Sequence, residues 1–452
     1  MIYSDEDKID DAGRRFDPYF KPDFDHDLLL AQNFVSHLGA YRRDLLLRLG
    51  GMREGFEGSQ DHDLVLRAAA AIAPAQIRHI PHVLYHWRQG STTATFSEAA
   101  LEDCIRASER AVAEHLAVTG VTATVVRAPL APIYLHVHRP LPQPTPLVSI
   151  IIPVRDRSDL LRACLTGLLN RTNYDNMEII VVDNGSESPE TLQYFLEVSA
   201  DPRVRILPCP GPFNFSRLNN RAAEVAHGSI FVLLNNDIEV IKSDWLRELV
   251  CLAVRPGIGA VGAKLLYAND TIQHAGVVIG AGLPDRVAGH IYIGASRRDP
   301  GAFGALAVVR SSSAVTAACL AVSRAAYCAV SGLDEDLAVA FNDIDFCLRL
   351  RKAGYRNLWT PAVELIHLES ASRGSDQDGD KAARFAQEVT TMRLRWKRDL
   401  DEDPYWNPNL SLADLHRRLA FPPRVRKRWL STPPPLQGSS PESESTSDGI
   451  NI

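Results

Sequence analysis

The sequence has few cysteines, and those it has are scattered. Seven cysteines occur among 452 residues, and no two of them form a Cys-x-x-Cys pair. An odd, dispersed set is typical of reduced thiols in the cytosol. It argues against a disulfide framework and against a structural zinc site.

The chain also lacks an excess of positive charge, a long apolar run and a basic leader. Its net charge of −6 argues against a nucleic-acid partner, because nucleic-acid binding usually needs a basic surface. No uncharged apolar run approaches the roughly 18 residues that span a bilayer. The first residues, MIYSDEDKIDD, are acidic and do not resemble a signal peptide. We therefore expect a cytoplasmic protein that contacts the inner face of the cell membrane only peripherally.

A regular alternation of apolar strands and helices begins at Leu147. Strands are predicted at 148–153, 178–182, 204–207 and 230–234, each followed by a helical segment. This order predicts an α/β fold with a mostly parallel sheet, right-handed crossovers and flanking helices. The residues after about 255 form a long Gly- and Ala-rich region, and we expect sugar and acceptor specificity to be set within 268–312.

The stretch Leu233–Glu239 ends an apolar strand with two amides and a carboxylate, Asn235, Asn236 and Asp237. Open α/β sheets bind ligands at the carboxyl ends of their strands. A hard divalent cation on a diphosphate takes oxygen ligands of this kind. The competing interpretation is an ordinary polar turn.

Two further residues complete a candidate site for a metal and a base. Asp343 precedes an apolar helix, and His367 follows a short strand. Carboxylate, imidazole and water together suit Mn²⁺ or Mg²⁺, and a second carboxylate can deprotonate a hydroxyl. The alternatives are a helix N-cap for Asp343 and a structural role for His367. His136 and His138 share one face of a strand and are interpreted as a polar strand face.

The acidic motif around Asp343 and the histidine that follows it occur twice in the chain, in the same order. Gln60-Asp61-His62-Asp63 is followed by His86, 25 positions after Asp61, and Asn342-Asp343-Ile344-Asp345 by His367, 24 positions after Asp343. Each copy follows a Gly-containing turn and has an acidic cluster upstream, which in the first copy is Asp5-Glu6-Asp7. We interpret this as a degenerate duplication.

Several motifs carry a resemblance to a known family. They are Ser149-Ile-Ile-Ile-Pro153, Val181-Val-Asp183-Asn-Gly-Ser186, Asn219-Asn220, Leu234-Asn-Asn-Asp237, Asn342-Asp343-x-Asp345 and His367-x-Glu369-Ser370. Together they resemble family 2 glycosyltransferases with a GT-A fold, in particular the bacterial rhamnosyltransferase-like group that builds O-antigen and other surface polysaccharides.

The resemblance implies a role for each matching residue. Asp343 is the implied catalytic base, and Asp237 and His367 are the implied ligands of Mn²⁺ or Mg²⁺. The residues implied to bind the donor nucleotide are Pro153, Arg155, Asp183, Asn184, Asn220 and Asn236. The first position of the family's D-x-D motif is Asn235 here, so fewer charges are available to the metal.

The N-terminal segment resembles the acceptor-side half of a second domain of this kind. Asp5 and Asp7 are interpreted as its D-x-D motif, Asp61 as its base and His86 as its metal-ligand position, all vestigial because the nucleotide-binding half is missing. The chain is accordingly expected to be a truncated form of a two-domain transferase. The predicted organisation is a partial GT-A-like module (1–125), a strand and Pro-rich linker (126–146), a complete GT-A domain (147–400), an extension (401–430) and a disordered tail (431–452).

The predicted function is an inverting, metal-dependent glycosyl transfer. The donor is a nucleotide-diphosphate sugar, and the acceptor is a hydroxyl of a lipid-linked or oligosaccharide glycan. The transfer is expected to be non-processive, since Met392-Arg-Leu-Arg395-Trp396 stands where processive relatives carry Q-x-x-R-W. The alternatives are a non-catalytic glycan-binding scaffold and a sugar-nucleotide nucleotidyltransferase. The latter needs a Gly-rich loop that Pro153-Val-Arg155-Asp156 does not provide.

Overall fold

The structure is a computed structural model that describes residues 1–89, 100–282, 285–368 and 379–425, without the side chains of residues 379 and 380. The predicted disordered tail, 431–452, lies outside the described residues, as do Glu369 and Ser370 of the last motif.

The strands alternate with helices over most of this length. The strands are β1 Ile2–Ile9, β2 Arg15–Tyr19, β3 Gly39–Ala40, β4 Arg78–Arg88, β5 Thr124–Arg127, β6 Leu135–His138, β7 Val148–Val154, β8 Met177–Asp183, β9 Val204–Pro208, β10 Ile230–Leu234, β11 Ile238–Val240, β12 Ile258–Leu266, β13 Ile272–His274, β14 Val277–Ile279, β15 Ala288–His290, β16 Arg310–Ser311, β17 Cys319–Ser323 and β18 Arg356–His367.

The α-helices lie between these strands in the chain, except the last, which follows β18. They span His26–Ala31, Arg43–Leu49, Gln60–Ala71, Leu101–Val118, Ser158–Arg171, Pro189–Val198, Phe215–Val225, Trp245–Ala253, Arg324–Ala329, Asn342–Lys352 and Gly379–Trp396. Across the described ranges, none of the helices has the length and apolar character that crossing a membrane would require.

Ten strands form the large sheet, in the order β11-β18-β12-β17-β10-β7-β8-β9, with β13 beside β12 and β16 beside β18. β10, β7, β8 and β9 run parallel to one another, as do β12 and β18. Because β17 is antiparallel to both β10 and β12, those two strands point the same way. The carboxyl ends of β7, β8, β10, β12 and β18 therefore meet at one edge. The predicted α/β fold class is confirmed.

Alternating side chains of the central strands fill two separate cores. Ile151, Ile180 and Leu233 pack on one face of the sheet. Their chain neighbours Ile150 and Ile179 pack on the other face with the helix Ser158–Arg171. A strand that is covered on both faces needs a continuous apolar run, and this is the pattern of β7, β8 and β10.

The first 125 residues build a smaller sheet in which β1 pairs antiparallel with β2 and β3 and parallel with β4. The pairing of β1 with β4 matches that of β12 with β18 in the large sheet. Asp5 and Asp7 thus lie inside β1, whereas Asp237 follows the end of β10. Their expected equivalence to the D-x-D position is wrong, because β1 takes the place of β12 in the pairing. The predicted boundary at 125/126 also falls inside β5, which packs with this module.

Buried polar contacts join the first module to the rest of the chain. The Asp27 carboxylate lies 2.6 Å from Arg255 Nη1 and 2.7 Å from Arg356 Nη1. From the C-terminal extension, Asn407 Nδ2 donates to both oxygens of Asp5, at 3.0 and 2.9 Å. The module and the extension are therefore packed against the large sheet as parts of one structure.

Candidate active site

Asp237 and His367 meet at the edge where β10 and β18 end. Ile238 is paired with His367 in the β11–β18 ladder, and the Leu368 N–H donates to the Asp237 carbonyl oxygen at 3.0 Å. This register places Asp237 Oδ1 3.1 Å from His367 Nε2, and both residues are buried. The structure thus brings the two predicted metal ligands together, although they are 130 positions apart in the sequence.

Two amide side chains surround the His367 ring. Asn235 Nδ2 lies 3.2 Å from His367 Nε2, and Gln273 Oε1 lies 2.7 Å from His367 Nδ1. Gln273 is in β13, which pairs with β12 beside β18. The sequence reasoning missed Gln273, because the Gly- and Ala-rich region around it shows no strand pattern.

Asp237 Oδ1 has the properties of a cation ligand. It is buried and receives no hydrogen bond from any residue that the structure describes. A buried carboxylate oxygen without a donor costs free energy unless a cation compensates its charge. The oxygen of Asp237 and the imidazole nitrogen of His367 are a donor set that suits Mn²⁺ or Mg²⁺. The residues present therefore fit a divalent cation at this position.

Asp343 is held beside this pair by the segment that precedes β17. The Ala317 N–H donates to Asp343 Oδ2 at 3.0 Å, and the Asn235 N–H donates to the carbonyl oxygen of Ala318 at 3.0 Å. Two consecutive residues thus anchor Asp343 and the turn after β10. The helix begins at Asn342, so Asp343 is not its N-cap, and that alternative is wrong.

Asp345, two positions on, has a structural environment. Its carboxylate is fully buried and pairs with Arg349 at 2.6 Å and with Arg395 at 2.7 Å. It also accepts a hydrogen bond from Trp396 Nε1 at 3.0 Å. Asp343, by contrast, is half-buried and contacts only backbone N–H groups among the hydrogen bonds described for its carboxylate.

The end of β8 offers polar groups on the same sheet edge. Asp183 Oδ1 accepts the Ser186 N–H at 2.8 Å, which closes the turn. Asn184 Nδ2 donates to the carbonyl oxygens of Cys209 and Gly211, both at 3.0 Å. Asn184 Oδ1 is buried and receives no hydrogen bond from the described part of the chain.

The other residues assigned to the donor differ in exposure. Pro153 is buried in β7 opposite Val182, whereas Arg155 is exposed just beyond the end of the strand. Asn236 is buried in the turn after β10. Their roles in donor binding remain predictions.

Arg157 is a further cation at this edge. It has a left-handed backbone with φ of 53°, which directs the chain out of β7. The pKa of Arg157 is raised first by its hydrogen bond with Asp159 and also by the charge of Asp237. No sequence motif singled out Arg157.

The structure gives Asn220 a different role from donor binding. Its Nδ2 donates to the Leu333 carbonyl oxygen at 2.9 Å and to Glu335 Oε1 at 3.1 Å. Its Oδ1 accepts from Tyr327 Oη at 2.6 Å and from the Leu333 N–H at 2.9 Å. An amide side chain has two donor hydrogens and two acceptor lone pairs, and all four are used. The prediction that Asn220 binds the donor is therefore corrected to a structural role.

In the first module, Asp5 is part of a buried structural network. Its carboxylate accepts hydrogen bonds from the Lys21 N–H and from Asn407, and it lies 2.8 Å from His79 Nε2. Asp5 is completely buried. No open coordination position is left on it.

Asp7 pairs with His86 Nδ1 and with Arg15, which resembles the contact between Asp237 and His367 but adds a cation. Asp61 Oδ2 accepts from Asn33 Nδ2 at 2.9 Å. The first module thus keeps an acid–histidine pair, but an arginine already neutralises the acid.

A second group with metal-ligating atoms lies where strand β6, which pairs with β5, meets the helix Trp245–Ala253. His136, His138 and Glu248 each offer an atom within 4.8 Å of the others. Arg247 Nη2 lies 3.1 Å from His138 Nε2, and Arg247 Nη1 lies 3.6 Å from Glu248. The guanidinium already supplies positive charge there, in line with the interpretation of His136 and His138 as a polar strand face.

Residues 149–299 match the family model described as Glycosyl transferase family 2. This segment covers β7 to β15 and contains Asp183 and Asp237. The matched segment holds the parallel strands β7 to β10 of the large sheet.

Two relatives match nearly the whole chain. "Uncharacterized protein y4gI" of Sinorhizobium fredii is 49% identical over 415 residues, which are 91% of this chain and 45% of that protein. "O-antigen biosynthesis protein RfbC" of Myxococcus xanthus is 41% identical over 419 residues, which are 91% of this chain and 32% of that protein. The chain thus spans less than half the length of these relatives.

Among solved structures, a mannosyltransferase from Pyrobaculum calidifontis in complex with GDP-Man and Mn²⁺ aligns with a TM-score of 0.43 and 20% identity. The alignment covers 60% of this chain and 69% of that one.

Proposed function

We propose, from the Glycosyl transferase family 2 domain at residues 149–299, that the chain transfers a sugar from a nucleotide-diphosphate donor to a hydroxyl of a growing cell-surface glycan. The similarity to a protein named for O-antigen biosynthesis supports the glycan class. The observation that carries the proposal is the contact of Asp237 with His367, beside a carboxylate, Asp343, that is anchored on the same sheet edge.

Asp343 is the proposed base. Each of its oxygens accepts one backbone N–H and keeps lone-pair capacity for a hydroxyl of the acceptor. The acceptor oxygen would bond to the anomeric carbon as the bond from that carbon to the diphosphate breaks. The proton would pass to Asp343. Attack from the face opposite the leaving group would invert the configuration, through an oxocarbenium-like transition state.

Asp237 and His367 are the residues that would hold Mn²⁺ or Mg²⁺, and the cation would neutralise charge on the departing nucleoside diphosphate. Asp237 Oδ1, which receives no hydrogen bond from the described residues, would be one of the ligand atoms. Arg157 is paired with Asp159 at 2.9 Å, so most of its charge is already compensated.

Asp183, Asn184, Pro153, Arg155 and Asn236 form the proposed nucleoside side of the site. Asn184 contributes its free Oδ1 as a hydrogen-bond acceptor, while its Nδ2 fixes the neighbouring loop. The proposed acceptor is a lipid-linked or free oligosaccharide, with peripheral contact at the membrane. Its identity would depend on the pocket shape set by residues 268–312.

We also propose that the first module descends from the same domain, as its acceptor-side half. The parallel pairing of β1 with β4 supports this origin, because β12 and β18 pair in the same way. The ion pairs Asp63–Arg67 and Asp345–Arg349 support it as well. In the described residues of this module, the four strands of the small sheet do not include counterparts of β7 to β10, which carry the proposed nucleoside side in the large sheet.

The activity is tested by nucleotide release from a panel of nucleotide-diphosphate sugars, with Mn²⁺ or Mg²⁺ and with a chelator. Asp343→Asn and Asp237→Ala should each abolish most of the release, because they remove the base and a metal ligand. The control is Asp336→Asn, an exposed carboxylate near the same helix. Wild-type turnover in both site variants would refute the assigned roles.

A further inference from the structure

The side chain of Gln273 lies against the side of the His367 ring that points away from Asp237. Gln273 Oε1 is 2.7 Å from His367 Nδ1, and this contact is buried. The other ring nitrogen, Nε2, is 3.1 Å from Asp237 Oδ1. The two nitrogens of His367 therefore face different partners.

These contacts favour particular positions for the single proton of a neutral imidazole. An amide oxygen only accepts hydrogen bonds, so Gln273 Oε1 favours a proton on Nδ1. Asn235 Nδ2, 3.2 Å from Nε2, only donates, so it favours a lone pair on Nε2. The Asp237 carboxylate only accepts and favours a proton on Nε2 instead, unless a cation takes the place of that proton. Gln273 thus biases the ring toward the tautomer that leaves the Nε2 lone pair for a cation.

Gln273 itself is held firmly. Its residue is 5% exposed, its strand β13 is paired with β12, and β12 is paired with β18, which carries His367. The carbonyl oxygen of Gln273 lies 3.3 Å from His290 Nδ1, which ties its backbone to β15. A side chain anchored in this way can hold a ring orientation.

We propose that Gln273 is a positioning residue that sets the tautomer and orientation of His367, and thereby the affinity of the site for a divalent cation. The proposal rests on the proposed function, which assigns His367 to that cation. Metal-binding histidines generally donate their second ring N–H to a fixed acceptor, and loss of that acceptor typically weakens metal binding about 10- to 100-fold. Gln273 provides this acceptor.

The first test reads the proton position in the metal-free, full-length protein. In histidine-selective ¹⁵N labelling, the wild type should show a larger population of His367 protonated at Nδ1 than a variant that lacks the Gln273 amide oxygen. Gln273→Met keeps the length of the side chain but removes the acceptor, so the signal should move toward a mixture of tautomers. Gln273→Glu keeps an acceptor oxygen and should retain the Nδ1 proton. An unchanged His367 tautomer in Gln273→Met would overturn the proposal, and so would loss of the Nδ1 proton in Gln273→Glu if the Met variant fails to fold.

The second test measures Mn²⁺ binding directly, by the electron paramagnetic resonance of free Mn²⁺, without any sugar donor. Gln273→Met should bind Mn²⁺ at least about tenfold more weakly, and Gln273→Glu should bind within a few-fold of the wild type. The matched control is Gln32→Met, which removes another amide hydrogen bond, to Phe303 O at 2.8 Å, far along the chain. Equal weakening in Gln32→Met and Gln273→Met would reduce Gln273 to a structural role and overturn the proposal.

Failure of this proposal and failure of the proposed function give different results. If Mn²⁺ binding is lost in His367→Ala but not in Gln273→Met, the cation site stands and the positioning role is wrong. If His367→Ala and Asp237→Ala leave Mn²⁺ binding unchanged, the assignment of the cation site is wrong, while the tautomer measurement still decides the role of Gln273.

Discussion

The two halves of the chain share a buried ion-pair framework. In the first module, Asp63 is paired with Arg67 at 2.7 Å, and the Arg67 guanidinium donates to the carbonyl oxygens of Leu49 and Gly51. Asp63 is almost completely buried. The arginine thus fastens the helix Gln60–Ala71 to the end of the preceding helix.

The second domain repeats this arrangement, with the arginine one position farther along the chain from its two carbonyl partners. Asp345 is paired with Arg349, and the Arg349 guanidinium donates to the carbonyl oxygens of Val330 and Gly332. Among the described residues, β10 and the turn that carries Asp237 belong to the second domain. The comparison teaches that the structural ion pairs do not by themselves make a metal and nucleotide site.

The strongest test of this difference between the halves removes the two carboxylates at matching positions, Asp343 and Asp61. Asp343→Asn should lower turnover by about 10³-fold, since a general base contributes roughly 10²–10⁴-fold. Asp61→Asn should leave turnover unchanged. Both are measured as nucleotide release. A loss of activity in Asp61→Asn that exceeds its loss of folded protein would show that the first module is catalytic.

The two histidines test the comparison at the metal. His367→Ala should weaken Mn²⁺ binding by more than about tenfold, because it removes a ligand that lies beside a buried carboxylate oxygen. His86→Ala should leave Mn²⁺ binding unchanged, because Arg15 already neutralises Asp7. Isothermal titration with Mn²⁺ measures both. Equal losses in the two variants would contradict the distinction.

The shared framework should matter equally for stability in both halves. Asp345→Ala leaves Arg349 and Arg395 without this carboxylate. Asp63→Ala leaves Arg53 and Arg67 without theirs. Breaking a buried pair in this way costs about 3–5 kcal/mol. Chemical denaturation followed by fluorescence gives the two free energies of unfolding. The exposed Asp336→Ala is the control. A cost below about 1 kcal/mol for either variant would mean that the pair is not part of the framework.

The smallest expected difference between the two halves is in how their stability depends on pH. Glu364 in β18 is paired with Arg297 and Lys242, both at 2.9 Å, whereas the corresponding strand of the first module carries the exposed Leu84. Burial alone raises the pKa of Glu364, but these cations outweigh it and lower the pKa to about 2. Because the folded pKa is lowered, the stabilisation is complete above the unfolded pKa of about 4.3 and is lost as the pH falls from there toward 2.

Glu364→Gln should therefore lower the free energy of unfolding by about 1–2 kcal/mol at pH 7, after allowance for the solvent that screens Lys242. The difference from the wild type should shrink as the pH falls below about 4. Thermal denaturation between pH 7 and pH 3 measures it. Leu84→Gln should show no such pH dependence, and a difference for Glu364→Gln that stays constant across this range would contradict the assigned ion pairs.

Much of the large sheet could be predicted from the sequence, because β7, β8 and β10 are short apolar runs between polar turns. β12 could not. Its sequence, Ile258–Leu266, is rich in Gly and Ala, yet all of its residues are buried. A Cβ at Gly262 would lie 2.5 Å from the Val315 side chain, so close packing requires glycine at a position where strand propensity disfavours it.

The candidate site shows the same division. Asp183, Asp237 and Asp343 could be found as acids beside predicted strands or helices, since these are local patterns. The structural role of Asn220 could not be told apart from a role in the site, because the residues that hydrogen-bond to its side chain lie more than 100 positions away. Asp5 and Asp7 look like a D-x-D motif by composition alone, and only the pairing of β1 with β4 shows that they lie inside a strand.

The sequence by itself determined the kind of fold and the chemical types available at its edge, because apolar periodicity and polar strand ends are properties of neighbouring residues. Only the tertiary structure decided which of these residues meet. The register of β11 against β18 places His367 on Asp237, and the pairing of β13 with β12 places Gln273 behind it. Hydrogen bonds between strands that are distant in the chain set these contacts, and no local pattern encodes their register.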